Sequence, residues 1–314
     1  MKRENIGKLI LSLISLLILI ELILYVNPSK LIIEIKKIHT EAIFIAFLLA
    51  NIATLFRVLK WWVLIDNISI KELIPIQLAG MMISNLTPGK VGEPIKAFIL
   101  KSLKGINVSE SLQSIIWERT LDLIVLLIFT LIGIVLFSKL LKFSIVGIFI
   151  SIIVITLLIL VARSEKIGRK FSKIKWIRKY INEEFVDAFY NSKIKKEKII
   201  ISFILTVITW FLDGLVYFVL FSSLSPVGAE YVIIFPALLS ISIVIGISSM
   251  LPGGLGGTEA SFIIIFSLIG TAKTIAAAIV FVGRALTLGY GMILGYISFL
   301  YLNKKLDILS GLRR

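Results

Sequence analysis

Runs of about twenty apolar residues govern what this sequence can fold into. Residues 8–26, 41–65, 111–137, 143–162, 199–221 and 275–302 are each long enough to cross ~30 Å of hydrocarbon as a helix. In hydrocarbon every backbone N–H and C=O must be satisfied within the protein, which leaves helices or a closed barrel. These runs do not alternate polar and apolar residues as barrel strands do. The expectation is an all-α, polytopic helical membrane protein with six transmembrane spans. Composition agrees. At 58% hydrophobic and 17% charged residues, with a mean hydropathy of +1.02, the chain carries more apolar surface than a soluble domain of its length can bury. The first run follows Met1-Lys-Arg-Glu-Asn and shows no small-residue cleavage pattern before Asn27-Pro28, so it reads as an anchor and not as a signal peptide.

Two further apolar stretches, 73–103 and 231–270, are each broken by a Pro-Gly cluster and read as re-entrant helical hairpins. If each enters and leaves on one side, most of the 34 lysines and arginines face the inner side, as the positive-inside rule requires. This topology makes the chain a multi-pass cell-membrane protein with both termini cytoplasmic. It also explains the formal charge of +15 without a nucleic-acid partner. Residues 163–198 form a basic cytoplasmic loop in which Trp176, Ile177, Tyr180, Ile181 and Phe185 recur at roughly helical spacing. The loop suits a helix lying on anionic lipid or a docking site for a partner enzyme. With His39 the single histidine and no cysteine, a His-cluster metal site, a disulfide and thiolate chemistry are excluded. No cofactor is expected.

The chain reads as one integral membrane domain, 1–314, built from two halves, 1–140 and 141–314, with the same parts. Ser84-Asn85-Leu-Thr-Pro88-Gly89-Lys90-Val-Gly92-Glu93 in the first half is echoed by Ser248-Ser-Met-Leu-Pro252-Gly253-Gly254-Leu-Gly256-Gly257-Thr258-Glu259 in the second. Downstream, Glu118-Arg119 aligns with Gly283-Arg284. An odd number of crossings per half makes the second half inverted relative to the first, a layout of secondary transporters whose broken helices carry the site near the midplane.

Glu93, Glu118, Arg119, Asp122, Asp213, Glu259 and Arg284 all lie in apolar surroundings. Unpaired at the bilayer centre they would cost roughly 20 kcal/mol together, so they must pair or line water. One reading pairs Arg119 with Glu93 and Arg284 with Glu259 permanently. The other has both arginines hold an anionic headgroup by two parallel hydrogen bonds, assisted by Lys90 and by the half-helix N-termini near Glu93 and Thr258-Glu259. Against the latter, the two glutamates could cap those N-termini themselves. Asp122, on one helix face with Glu118, reads as a partner for Lys90 or Arg119. Asp213 reads as a helix–helix hydrogen bond or a proton-coupling carboxylate. Arg57, Lys60, Trp61 and Trp62 read as an interfacial belt, and Gly283, Gly289, Gly291 and Gly295 as close-packing positions. The glycines at 253–257 follow a helix, lack a following Lys-Ser/Thr, and are no nucleotide loop.

The Asn85–Glu93, Trp117-Glu-Arg119-Thr-Leu-Asp122 and Pro252–Glu259 motifs, in this order, resemble the lysylphosphatidylglycerol synthase transmembrane family of flippase-like membrane proteins. The resemblance covers nearly the whole chain. It implies movement of a lipid between leaflets. The chain ends twelve residues after residue 302, which would leave out the aminoacyl transferase domain that makes the lipid in those synthases. The expectation is therefore a non-enzymatic lipid transporter of flippase or scramblase type for an anionic phospholipid or polyprenyl-phosphate-like lipid. Two rivals stand beside it: a small-solute or ion transporter of the same architecture, and a non-transporting assembly partner of a lipid-linked glycosyltransferase or lipid synthase.

Overall fold

A computed structural model describes residues 3–90, 92–136, 141–172, 183–226, 228–268 and 270–306. Among these residues fourteen α-helices run in the order α1 (Arg3–Val26), α2 (Pro28–Lys37), α3 (Thr40–Leu64), α4 (Ile70–Asn85), α5 (Ile95–Lys104), α6 (Val108–Leu136), α7 (Leu141–Arg163), α8 (Glu165–Ser172), α9 (Glu183–Asn191), α10 (Lys196–Ser222), α11 (Tyr231–Ser248), α12 (Gly257–Leu268), α13 (Lys273–Arg284) and α14 (Tyr290–Leu306). No strand occurs among the described residues.

By length and composition α3, α6, α10, α11 and the α13–α14 pair can each cross a membrane, and α1 with α2 makes a sixth candidate bent by 81°. Asn27 turns that bend. Its φ is 72°, its side chain accepts from the Lys30 N–H, and Pro28 opens α2. Within 143–162, the apolar helix found among the described residues is the shorter piece Ile148–Arg163. Of the basic loop, α8 and α9 are described, while Trp176, Ile177, Tyr180 and Ile181 lie outside the described residues.

Sequence explains where the helices start and meet. Ser69 and Glu72 form a reciprocal capping box at the start of α4, satisfying two donors that a helix end leaves free. On α3 the buried residues Ala42, Ala46, Ala50 and Ala53 form a stripe of small side chains along which α10 packs closely. The opposite faces of α3, α7 and α14 expose Phe44, Leu48, Ile52, Phe149, Ile153, Ile293 and Ile297, an apolar exterior fit for lipid.

The two broken stretches fold as helix, tight tip, helix: α4 to α5 and α11 to α12. Each tip is a short 3-10 turn, at Pro88–Lys90 and at Pro252–Gly254, with Gly89 (φ 58°) and Gly253 (φ 61°) in the left-handed region that glycine adopts without strain. The two tips touch one another. Contacts between the halves are exchanged: α14 packs on α4, and α11 packs on α6. Between α13 and α14 runs a π-helical turn, Ala285–Gly289. Of the four glycines marked for close packing, two serve it. A Cβ on Gly283 would lie 2.4 Å from Tyr217 and one on Gly295 2.5 Å from Met82. Gly289 and Gly291 have no side chain against them within close contact.

Candidate functional site

Where the tips meet lies a cavity of about 100 Å³. Most of the elements around it deliver a charge, while α4 and α11 contribute uncharged residues. Arg57 comes from α3, Lys90 and Glu93 from the first tip, Arg119 and Asp122 from α6, Asp213 from α10 and Arg284 from the end of α13; Ser84, Asn85, Trp210, Tyr217 and Thr287 complete the polar lining.

Arg119 forms an ion pair with Glu93 and stands 3.4 Å from Asp122. Arg284 meets Glu259 at 2.5 Å and also donates to the Gly253 carbonyl at 2.9 Å. The two pairs that the motif register suggests are therefore present, but they are not alike. Arg284 is tied to the tip of the α11–α12 hairpin and its side chain is 12% exposed, against 28% for Arg119. Their glutamates differ too. Glu259 accepts from the Gly256 N–H at 2.7 Å, so it caps α12 and occupies the N-terminus expected to receive an anion. Glu93 lies two residues ahead of α5 and points its carboxylate at Arg119 instead.

The tip residues divide between support and site. Ser84 donates to the Lys90 carbonyl at 3.0 Å, and Thr87 accepts from the Gly92 N–H at 2.8 Å. A Cβ on Gly92 would lie 2.9 Å from the Ile83 carbonyl oxygen, one on Gly254 2.7 Å from Thr258, and one on Gly257 2.9 Å from Ser249. Pro88, Gly89, Gly92, Pro252, Gly253, Gly254, Gly256, Gly257 and Thr258 thus shape the tips without lining the cavity, whereas Asn85 and Lys90 line it.

Beside the cavity lies a buried ionic cluster that the sequence reading missed. Lys96 has a fully buried side chain; it donates to Glu118 at 2.6 Å and to Gln77 at 3.0 Å, 4.2 Å above the Trp61 ring. Gln77 in turn donates to Glu118 at 3.0 Å. Lys60 bonds Asp122 at 2.5 Å and approaches Glu118 to 3.7 Å, and the Trp210 indole donates to Asp122 at 2.9 Å. Lys90, by contrast, makes no ion pair with Asp122. Arg57 pairs with Asp213 beneath the Trp210 ring.

The interfacial belt is therefore corrected. Trp62 remains exposed, but Lys60 and Trp61 are core residues and Arg57 is a cavity residue. The cause is the α3 stripe. Counting on from Ala46, Ala50 and Ala53 in steps of three or four reaches Arg57, Lys60 and Leu64, the face that packs inward. That periodicity was the available signal; the neighbouring tryptophans obscured it. For Lys96 the signal was fainter. A Cβ on Gly80 would lie 2.3 Å from the Lys96 side chain, so glycine at 80 makes room for the lysine stem.

The family described as lysylphosphatidylglycerol synthase TM region matches residues 9–295 of this chain. A UPF0104 membrane protein of Methanocaldococcus jannaschii is 28% identical, over 96% of this chain and 97% of its own. A UPF0104 membrane protein of Methanothermobacter thermautotrophicus is 23% identical over 88% and 90%, and one of Pyrococcus horikoshii 26% identical over 96% and 99%.

Proposed function

The chain belongs to this multi-pass membrane family, and from that premise we propose that it is a lipid transporter of flippase or scramblase type for lipids with an anionic headgroup. The observation that carries this reading is the convergence of Arg57, Lys90, Arg119 and Arg284 on one cavity between two broken helices. Cations at membrane depth face a wet cavity, a partner or a substrate, and a guanidinium grips phosphate with two parallel hydrogen bonds. The partly exposed Arg119 supplies that grip, with Glu93 and Asp122 as its counter-charges when the site is empty. The lipid tail stays in the bilayer.

In the same reading both Pro-Gly tips are re-entrant, the halves are inverted relative to each other, and both termini are cytoplasmic. The exchanged packing, α14 on α4 and α11 on α6, supports such a symmetry. Rocking of one half against the other then opens the cavity to each side in turn. The protein itself carries out no bond chemistry in this scheme.

The test is movement of tail-labelled lipids in vesicles containing the purified chain. An anionic lipid should move faster than phosphatidylcholine, Arg119→Gln should erase the difference, and Arg119→Lys should restore only part, since it keeps charge without the planar fork. Equal movement of both lipids, indifferent to Arg119, overturns the headgroup grip. Topology has its own check: single cysteines at Asn67 and Asn107 should be labelled from the same side of the membrane.

A further inference from the structure

All but one of the charged groups in and around the cavity pair off. Glu93 pairs with Arg119, Glu118 with Lys96, Asp122 with Lys60, Asp213 with Arg57 and Glu259 with Arg284. Lys90 is left over. It lines the cavity, and among the described residues no carboxylate lies within ion-pairing distance of it. Its backbone sits in the left-handed region at φ 59°, uncommon for a residue with a side chain, and Ser84 holds that conformation through the Lys90 carbonyl. The first tip is thus built to present a long cationic side chain that the rest of the site does not neutralise.

A cation withdrawn from water without a counter-ion is unfavourable. An occupant bearing one negative charge completes the balance. An occupant bearing two leaves an uncompensated anion in its place, and only a proton taken up on binding removes it. We propose that the site is matched to a monoanionic phosphodiester headgroup with Lys90 as its counter-ion, and that phosphomonoester lipids are accepted only in their singly charged form. This rests on the transporter reading above and specifies the substrate class of the same cavity.

The experiment compares three tail-labelled lipids in phosphatidylcholine vesicles containing the full chain: phosphatidylglycerol, a phosphodiester; phosphatidic acid, a phosphomonoester; and phosphatidylcholine, a zwitterion. Movement is followed at about pH 5 and about pH 7, either side of a monoester's second ionisation at ~6. Phosphatidylglycerol should move equally well at both. Phosphatidic acid should match it at the lower pH and fall about 10-fold behind at the higher, while phosphatidylcholine stays slow throughout. Lys90→Gln should slow phosphatidylglycerol by about 10-fold, and Lys90→Arg should keep most of the rate. Should Lys90→Gln fail to fold, the pH comparison on the unaltered chain still decides. Doubly charged phosphatidic acid moving as fast as phosphatidylglycerol, or a folded Lys90→Gln protein with an unchanged rate, overturns the charge match and leaves lipid transport standing. No acceleration of any lipid over protein-free vesicles overturns both.

Discussion

The two halves solve the same packing problem with opposite chemistry. Counting from the shared Pro-Gly, glutamate and arginine positions, Gln77, Lys96, Glu118 and Asp122 of the first half stand where Ile241, Phe262, Gly283 and Thr287 stand in the second. The helix α3 sets Lys60 against Glu118; α10 sets Tyr217 against Gly283. One half therefore holds a closed cluster of lysines, carboxylates and an amide, and the other an aromatic contact, with the Tyr217 and Phe262 rings 4.9 Å apart and Phe266, Phe235 and Phe221 packed beyond. Both halves nonetheless form a helix–tip–helix unit with an Arg–Glu pair. The ionic cluster is thus not a requirement of the hairpin architecture. Its effect is to fix charge beside the tip that carries Lys90, while the aromatic half is a packed abutment.

The severest way to break this comparison is to open the ionic cluster from within. Glu118→Gln leaves Lys96 and part of the Lys60 charge buried without a full partner, and should cost about 3–5 kcal/mol, read as a large loss of thermal stability in detergent. A loss no greater than that of an exposed substitution would mean that water reaches the cluster.

Next in size is the contrast between the arginines. With Arg284→Gln, Glu259 keeps only the Gly256 N–H, and the Gly253 carbonyl loses its donor. With Arg119→Gln, Glu93 still has Lys96 at 3.8 Å. Arg284→Gln should therefore be the more destabilising by about 1–3 kcal/mol, and Arg119→Gln the more damaging to transport at a given stability. The reverse order in thermal melts would erase the distinction between latch and grip.

A third variant transplants one half's solution into the other: Lys60→Tyr, Gln77→Ile, Lys96→Phe, Glu118→Gly and Asp122→Thr together. It removes two cations and two anions, so the balance is unchanged. Replacing a whole buried ionic group by packed apolar residues is often close to neutral. The fivefold variant should therefore melt nearer the parent than Glu118→Gln does, within about 2 kcal/mol. If it melts lower than the single variant, the halves are not interchangeable in their packing.

The smallest effect belongs to the same residue types at the surface. Glu72 meets Lys104 at 2.5 Å, with both side chains more than a third exposed, and bonds Ser69 in the capping box. Lys104 and Ser69 hold the Glu72 carboxyl down at about 2, below its usual 4.5. A carboxylate lowered in the folded state stabilises above its usual range and stops doing so as pH falls through the lowered value. Between about 4.5 and about 2 the wild type should lose a slight increment that Glu72→Gln does not have, seen by comparing the acid limbs of their melting curves.

The helical membrane class, the broken stretches and the Arg–Glu pairs were legible because each leaves a pattern in the chain: long apolar runs, Pro-Gly interruptions, and motifs recurring in one register. The ionic cluster leaves none of that kind. Lys60 and Lys96 are separated from Glu118 by 58 and 22 positions, and only the fold brings them together. A lysine near a tryptophan pair looks the same in sequence whether it faces headgroups or a buried carboxylate; Lys60 shows that the phase of the alanine stripe on α3 is the better guide. The asymmetry of Arg119 and Arg284 was hidden for a different reason. It depends on whether the neighbouring carboxylate lies within the next helix, as Glu259 does, or ahead of it, as Glu93 does: Glu259 follows its proline by two residues more than Glu93 does, while α12 starts two residues sooner after its proline than α5.

The wide turn at Ala285–Gly289 has a bearing on how the halves communicate. A π-helical turn spends about one residue more than an α turn, which rotates everything beyond it by roughly 100° about the helix axis. Gly283 meets Tyr217 before that turn, and Gly295 meets Met82 after it. Arg284 stands at its entrance, and α14 beyond it lies along α4, the helix that leads to the other tip. The turn is thus a phase adjuster in a single shaft, gripped at one end by its own half and at the other by the opposite half. Loss of the extra residue would leave both grips in place but turn them out of step.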